Sequence, residues 1–132
     1  MAPVLIVDAS CLYEVVADTA RADAVRSRLA ADPDHAAPSV VDVEVVSIIR
    51  RDHLLGRLDP TSAAQAVQDL RDWPGERFTH QPLLDRVWEL RGSVRAWDGF
   101  YVALAEALGA TLVTSDARLA AASGPRCAME VL

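Results

Sequence analysis

Four acidic residues stand at positions where their carboxylates could act together: Asp8, Glu44, Asp98 and Asp116. Asp8 follows one apolar stretch, and Asp116 follows a second apolar stretch and two hydroxyl residues. Glu44 lies between valines in a long apolar segment, and Asp98 opens a segment rich in alanine. If the fold brings the four together, their oxygens form a ligand set that suits Mg²⁺ or Mn²⁺.

Such a cluster needs a counter-ion because like charges repel. Two carboxylates about 5 Å apart repel by about 3 kcal/mol at an effective dielectric of about 20. Without a partner, the cluster raises its own pKa values. A bound divalent cation removes that cost and can activate water for the hydrolysis of a phosphodiester. The cysteines and histidines show no zinc-binding spacing.

Each acid also has a purely structural explanation. Asp8, Asp98 and Asp116 stand where helix N-caps are expected. Glu44 shares a predicted helical face with Ser47 and Arg51, so it could simply pair with that arginine.

Three hydroxyl residues lie near the acids in the sequence, namely Ser10, Thr114 and Ser115. They could orient the carboxylates or a water molecule. Ordinary capping and turn hydrogen bonds explain them equally well.

The elements that must position these residues alternate between strand and helix patterns. Val4–Val7 is a β-branched run typical of a strand buried on both faces, and 111–113 predicts a second apolar strand. Further strands are predicted near 36–39, 77–79 and 128–131, and helices near 12–16, 20–31, 40–55, 60–72, 81–91, 98–108 and 117–122. Helix 98–108 is expected to begin with Asp98 as its cap and to end at Gly109. Helix 40–55 is expected to be buried except for the face that carries Glu44.

This alternation predicts a single three-layer α/β domain over residues 1–132, with a mainly parallel central sheet flanked by helices. In such sheets, ligands bind beyond the carboxyl ends of the strands. Asp8 and Asp116 both follow predicted strands, so both are expected at that edge.

Composition limits the other possibilities. The chain has 132 residues, 52% of them hydrophobic, and a formal net charge of −6, and all thirteen of its basic residues are arginine. Bulk electrostatic binding of nucleic acid is therefore disfavoured, although a metal pocket holding four acids would leave the remainder nearly neutral. No apolar run approaches the roughly 20 residues of a membrane span. Two cysteines without metal or redox spacing favour a cytoplasmic protein.

Four sequence segments surround the acids: V-D-A-S at Asp8, V-E-V-V-S-I-I-R-R at Glu44, D-G-F-Y-V-A-L-A-E-A-L-G from Asp98, and L-V-T-S-D-A-R-L at Asp116. In this order they resemble PIN-domain ribonucleases and, more narrowly, the VapC toxins of bacterial toxin–antitoxin pairs, over nearly the whole chain. The resemblance implies a PIN-like fold and four acids that bind Mg²⁺ or Mn²⁺. It also implies endonucleolytic cleavage of structured RNA (tRNA or rRNA), and hence inhibition of translation.

The same resemblance implies a homodimer and a VapB-like antitoxin, in a heterotetramer or a larger assembly. The antitoxin's C-terminal tail would enter the active-site groove. Many relatives carry a further acid where this chain has Arg118, so one firmly bound metal is expected here. We expect Arg51 and Arg118 to contact RNA or the antitoxin.

Two alternatives remain open: a PIN-like module that binds RNA or a partner without cutting, and an RNA-processing nuclease without a toxin role. Other α/β classes fit less well. A response-regulator receiver needs a lysine, and this chain has none. A haloacid-dehalogenase-type phosphatase needs a second acid two residues after the first, where Ser10 stands, and a Rossmann module needs a glycine-rich first turn.

Overall fold

The computed structural model describes residues 4–132, in which five strands form one sheet and all neighbouring strands are parallel. The strands are β1 (Val4–Val7), β2 (Asp34–Pro38), β3 (Glu76–Phe78), β4 (Thr111–Thr114) and β5 (Met129–Val131). The helices are α1 (Ala9–Val16), α2 (Ala22–Ala30), α3 (Val40–Leu54), α4 (Pro60–Asp72), α5 (Leu84–Glu89), α6 (Ala96–Leu108) and α7 (Ala117–Ala121). The predicted α/β architecture with a parallel central sheet is thus confirmed.

The strand order β3-β2-β1-β4-β5 places β1 at the centre of the sheet. Ile6 lies opposite Ala36 on one side and opposite Leu112 on the other. The next strand in sequence lies to one side of β1, and the chain reaches the other side only with β4. Such a reversal opens a crevice at the carboxyl ends of the two strands. The backbone N–H of Asp8 continues the pairing by donating to the Val113 carbonyl at 3.0 Å.

Helix α6 packs against β1, β2 and β4, and its segment 101–105 is buried. Two alanines within that segment leave room for a close approach to the sheet. The helix ends as predicted at Gly109, whose φ of 61° lies in the left-handed region that favours glycine.

The predicted start of α6 was wrong. The helix begins at Ala96, with Arg95 at the N-cap position, so Asp98 lies inside the first turn and does not cap the helix. Asp98 imitates a capping signal because aspartate is also favoured within the first turn. Two other boundaries differ: β2 includes the polar residues Asp34 and His35, which pair with β1, and the predicted helix 81–91 is a 3₁₀ turn (Gln81–Leu83) followed by the shorter α5.

Helix α3 is less buried than its composition predicted. Val43, Val46 and Leu54 are exposed, whereas Asp52 is buried and accepts a hydrogen bond from the phenol of Tyr13. Apolar residues of α3 therefore lie on its solvent-facing side as well as on the side that faces the core. Among residues 4–132, no helix is both long enough and apolar enough to cross a membrane.

Two arginines fasten distant segments of the fold through both oxygens of a carboxylate. Arg28 donates to Glu130 at 2.5 and 2.7 Å and so joins α2 to β5. Arg86 donates to Glu106 at 2.7 and 3.1 Å and so joins α5 to α6. Two-oxygen pairing of this kind is the strongest ion-pair geometry available to arginine.

Candidate functional site

A cavity of about 540 Å³ opens at the carboxyl ends of β1 and β4. All four acids singled out in the sequence line it, namely Asp8, Glu44, Asp98 and Asp116. Its other lining residues are Ala9, Ser10, Ile48, Arg95, Ser115, Ala117 and Arg118. The fold therefore brings residues from the first and last thirds of the chain to one site.

Asp8 is buried, with 7% of its surface exposed. Two hydroxyls donate to its Oδ2 atom: Thr114 Oγ1 at 2.6 Å and Ser10 Oγ at 3.2 Å. Burial raises the pKa of Asp8 above its ordinary value, and the charge of Asp98 adds to this, while the two hydroxyls oppose it. Although Asp8 occupies the N-cap position of α1, its side chain makes no capping hydrogen bond, so capping does not explain it.

Glu44 reaches the cavity from the middle of α3. The phenol of Tyr101 on α6 donates to Glu44 Oε1 at 3.0 Å. Burial, together with the charges of Asp8 and Asp98, raises the pKa of Glu44 to about 7, against the lowering effect of Tyr101. The simple pairing of Glu44 with Arg51 is absent, because the Arg51 guanidinium donates to Asp52 at 3.2 Å instead.

Asp98 and Asp116 line the cavity from α6 and from the end of β4. Asp98 Oδ2 accepts from two nitrogens of Arg95, at 3.2 and 3.3 Å. Asp116 Oδ1 accepts from the backbone N–H groups of Arg118 and Leu119, at 2.9 and 3.3 Å, and so caps α7. Asp116 thus has the structural role expected of a cap and also faces the cavity.

Thr114 connects two of the acids. Its buried hydroxyl donates to Asp8 and accepts from the backbone N–H of Asp116 at 3.0 Å. Ser115 lies beside it, and its backbone N–H donates to Ser10 Oγ at 3.4 Å. The hydroxyls of Thr114 and Ser10 thus fix the relative positions of the carboxyl ends of β1 and β4.

The two arginines predicted to contact RNA or a partner lie in different places. Arg118 lines the acidic cavity and also an adjoining cavity of about 310 Å³. Arg51 lines a separate cavity of about 750 Å³, which shares Ser10 and Ile48 with the acidic one. The structure therefore brings Arg118, but not Arg51, to the four acids.

Sequence reasoning did not predict the contacts that Tyr101 and Arg95 make with the acids of the site. Both lie three positions from Asp98 along α6, one on each side, and residues at that spacing share a helical face. That spacing was the available signal for both. The choice of Glu44 as the partner of Tyr101 depends on how α6 packs against α3, which the sequence pattern does not specify.

The charge of Asp98 helps to raise the pKa values of Asp8 and Glu44, yet the four acids are not arranged as a finished metal site. Within residues 4–132, no three aspartate, glutamate, histidine or cysteine side chains are grouped closely enough to hold a metal ion together. Asp98 is engaged by Arg95, and Asp116 by backbone groups. For Glu44, Asp98 and Asp116 the hydrogen bonds fall on one oxygen of each carboxylate. The donor set nevertheless consists of oxygens, the ligands that Mg²⁺ and Mn²⁺ prefer.

Residues 5–125 match the model of the PIN domain family. Ribonuclease VapC3 of Mycobacterium tuberculosis is 40% identical over 119 residues, which cover 89% of this chain and 86% of that protein. Ribonuclease VapC9 of the same species is 36% identical over 131 residues, with 97% and 98% covered. The solved structure of VapBC2 from Rickettsia felis bound to a promoter DNA fragment shares the fold. Its TM-score is 0.72 at 16% identity, over 97% of this chain and 98% of that one. This chain therefore belongs to the PIN-domain family and, within it, to the VapC group.

Proposed function

We propose that this chain is a divalent-metal-dependent endoribonuclease that acts as the toxin of a toxin–antitoxin pair. The observation that carries the proposal is the convergence of four acids on one cavity at the reversal point of a parallel sheet. Burial and mutual repulsion raise the pKa values of Asp8 and Glu44 there, which is an unfavourable arrangement unless it serves a function. The curated relatives named ribonucleases support RNA as the substrate.

The carboxylates fit Mg²⁺ or Mn²⁺ by chemistry and by charge. Asp8, Glu44, Asp98 and Asp116 would hold one firmly bound ion, which would supply activation of water and stabilisation of charge on the phosphodiester. Arg118 adds a positive charge to the cavity, and this disfavours a second ion.

The protein's own hydroxyl groups orient the two acids with raised pKa values. Thr114 and Ser10 hold Asp8 through its Oδ2 atom, and Tyr101 holds Glu44 through its Oε1 atom. Such supporting hydrogen bonds fix the direction in which the remaining oxygens point, and they tune the carboxylate basicity. Ser115 also lines the cavity and supports Ser10 through its backbone N–H.

The substrate is proposed to be structured RNA, tRNA or rRNA, whose cleavage in the cytoplasm stops translation. Arg118 lines the cavity beside the acids and would contact a backbone phosphate there, a contact that arginine's planar group suits. Arg51 would act at a distance, in the neighbouring cavity, on the same RNA or on the antitoxin.

A VapB-like antitoxin is the proposed partner, with the toxin as a homodimer in a heterotetramer or a larger assembly. Exposed apolar side chains support further association: Val43 and Val46 on α3, and Trp88 on α5, which is 67% exposed. Tryptophan in particular is enriched at protein interfaces.

Purified protein incubated with total RNA and Mn²⁺, beside Asp8→Asn and Asp98→Asn, tests the nuclease proposal. Cleavage by the wild type and its loss in both variants is the expected result. Cleavage that survives either substitution would exclude this cavity as the active site. No cleavage by the wild type would favour the alternative, a PIN-like module that binds RNA or a partner without cutting.

The toxin role has a separate test. Expression of the chain alone should slow growth, and coexpression of a small adjacent reading frame should restore it. Normal growth at high expression of a protein that cleaves RNA in vitro would favour an RNA-processing nuclease instead.

A further inference from the structure

Arg95 is held more loosely than the arginines that fasten the fold. Arg28 and Arg86 each bind both oxygens of a carboxylate, and their side chains are only 24% and 21% exposed. Arg95 reaches a single oxygen of Asp98, at 3.2 and 3.3 Å, and is 77% exposed. Charge-assisted hydrogen bonds are usually about 2.7–2.9 Å long, and exposed pairs contribute little stability. The pairing of Arg95 with Asp98 is therefore easily exchanged.

Arg95 also has room to move. It lines both the 540 Å³ cavity and the adjoining 310 Å³ cavity, which share Arg95, Asp98, Asp116 and Arg118. Its guanidinium can leave Asp98 toward either space without unpacking the core. At the N-cap position of α6 its side chain makes no capping hydrogen bond, so the helix does not depend on this placement.

The net charge of the acidic cavity explains why a movement of Arg95 away from Asp98 would matter for RNA binding. Four acids face two arginines, Arg95 and Arg118, so an RNA phosphate that enters the cavity meets a net negative surface. A phosphate needs an available positive charge, and Arg95 provides one only when Asp98 is no longer its partner. A divalent cation on Asp98 would release Arg95 by competing with it for the same carboxylate.

We propose that Arg95 is a positioning residue that exchanges partners: it neutralises Asp98 until a divalent cation takes that carboxylate, and it then binds a phosphate of the RNA. The inference rests on the proposed nuclease function and adds to it a residue that couples metal binding to substrate binding. Since Arg95 and the cation compete for Asp98, removal of Arg95 strengthens metal binding. Since Arg95 also holds phosphate, the same removal weakens cleavage. Removal of a merely structural arginine would neither strengthen metal binding nor weaken cleavage in this way.

Calorimetric titration with Mn²⁺ in the absence of RNA tests the competition. Arg95→Ala should bind Mn²⁺ about threefold more tightly than the wild type, the size expected for the loss of an exposed ion pair. Arg118→Ala is the matched control, because Arg118 lines the same cavity but contacts Asp116 through its backbone N–H. Arg118→Ala removes the same charge as Arg95→Ala and should tighten Mn²⁺ binding less. Mn²⁺ binding by Arg95→Ala that is unchanged, weaker, or no tighter than that of Arg118→Ala would overturn the competition.

Cleavage of RNA at saturating Mn²⁺ tests whether Arg95 binds a phosphate of the RNA. Arg95→Ala should cleave on the order of tenfold more slowly, and Arg95→Lys, which keeps the charge but not the planar group, should recover part of that loss. Arg91→Ala should match the wild type, because Arg91 stacks on Trp88 with 4.6 Å between guanidinium and ring centroid, and lines neither cavity. Wild-type cleavage by Arg95→Ala would overturn the phosphate role. If the wild type cuts no RNA, the nuclease proposal fails, while the Mn²⁺ titration still decides whether Arg95 competes for Asp98.

Discussion

The phenol of Tyr101 and the carboxylate of Glu44 connect α6 to α3 at the acidic cavity, with 3.0 Å between the two oxygens. Tyr101 is fully buried, and its hydrogen bond lowers the pKa of Glu44, which burial and neighbouring acids raise to about 7. A carboxyl group with that pKa is only partly ionised near neutral pH. Tyr101 therefore helps to keep Glu44 in the form that can bind a cation.

Tyr101→Phe should shift the acidic limb of the pH–activity profile to higher pH. Removal of the hydrogen bond raises the pKa of Glu44 further, so a higher pH is needed to ionise it. The variant should also lose about 1 kcal/mol of stability, the usual contribution of one hydrogen bond. Initial cleavage rates across a pH series, together with denaturant unfolding, measure both effects.

Tyr13→Phe is the matched control for this substitution. Its phenol donates to Asp52, away from the four acids. It should lose comparable stability without moving the pH profile. A profile that moves equally in both variants would contradict the specific role of Tyr101.

Thr114→Val should cost about 1–3 kcal/mol of unfolding free energy. The substitution keeps the shape of a buried side chain but removes the donor to Asp8 and the acceptor for the Asp116 N–H. Loss of the donor also raises the pKa of Asp8, so Mn²⁺ affinity near neutral pH should fall. Chemical denaturation and calorimetry measure the two consequences.

Thr111→Val provides the comparison, because Thr111 lies three residues earlier on the same strand and does not line the acidic cavity. It should change stability by less than about 0.5 kcal/mol. Equal losses in the two variants would mean that the Thr114 hydroxyl has no particular role.

Glu44→Gln should remove the pH dependence that Glu44 imposes on stability in the presence of a chelator. The pKa of Glu44 rises from 4.5 in the unfolded chain to about 7 in the fold, so between these values the folded state holds more protons. The resulting stability is fully present below the unfolded pKa and is lost as the pH rises through the folded one. Glutamine does not titrate, so the variant should gain roughly 1–3 kcal/mol relative to wild type between about pH 5 and about pH 8.

Denaturant unfolding of both proteins at the two pH values measures this change. Comparison of the variant with the wild type cancels the titration of the other acids. A constant difference between the two proteins would show that Glu44 titrates at its ordinary pKa.

Arg86→Ala should destabilise the fold by about 3 kcal/mol without altering Mn²⁺ binding. It removes the two-oxygen pair with the largely buried Glu106 and a hydrogen bond to the Gly124 carbonyl, and none of these residues lines the acidic cavity. Arg71→Ala, at an exposed position on α4, should be nearly neutral. Thermal unfolding and Mn²⁺ calorimetry give the two readouts, and weaker Mn²⁺ binding by Arg86→Ala would show that the site depends on this pair.

The sequence predicted the sheet, the element order and the four acids because these depend on local patterns. Strand β1 is a continuous apolar run, and Gly109 marks the end of α6 through a backbone conformation that few other residues adopt. The prediction of Asp98 as the cap of α6 was wrong because aspartate is also favoured within the first turn of a helix. The predicted beginning of β2 was wrong because the pairing with β1 includes two polar residues.

The details of the site depended on tertiary packing. Arg51 was the expected neighbour of Glu44 because it shares a helical face, yet it turns to Asp52, and Tyr101 from another helix takes its place. The pairing of Arg95 with Asp98 was not predicted for a different reason: an arginine three residues before an aspartate is common on any solvated helix. Only the cavity that encloses the pair gives it significance.

The central claim is that the cavity acids form the metal-dependent active site, and parallel measurement of Mn²⁺ binding and RNA cleavage in Asp98→Asn and Asp69→Asn tests it most directly. Asp69 lies exposed on α4, where it accepts a hydrogen bond from Gln65 at 2.8 Å, so its substitution removes the same charge elsewhere. We predict that Asp98→Asn loses both Mn²⁺ binding and cleavage, each by on the order of a hundredfold, while Asp69→Asn retains both. Wild-type binding and cleavage in Asp98→Asn, or equal losses in the two variants, would contradict the assignment.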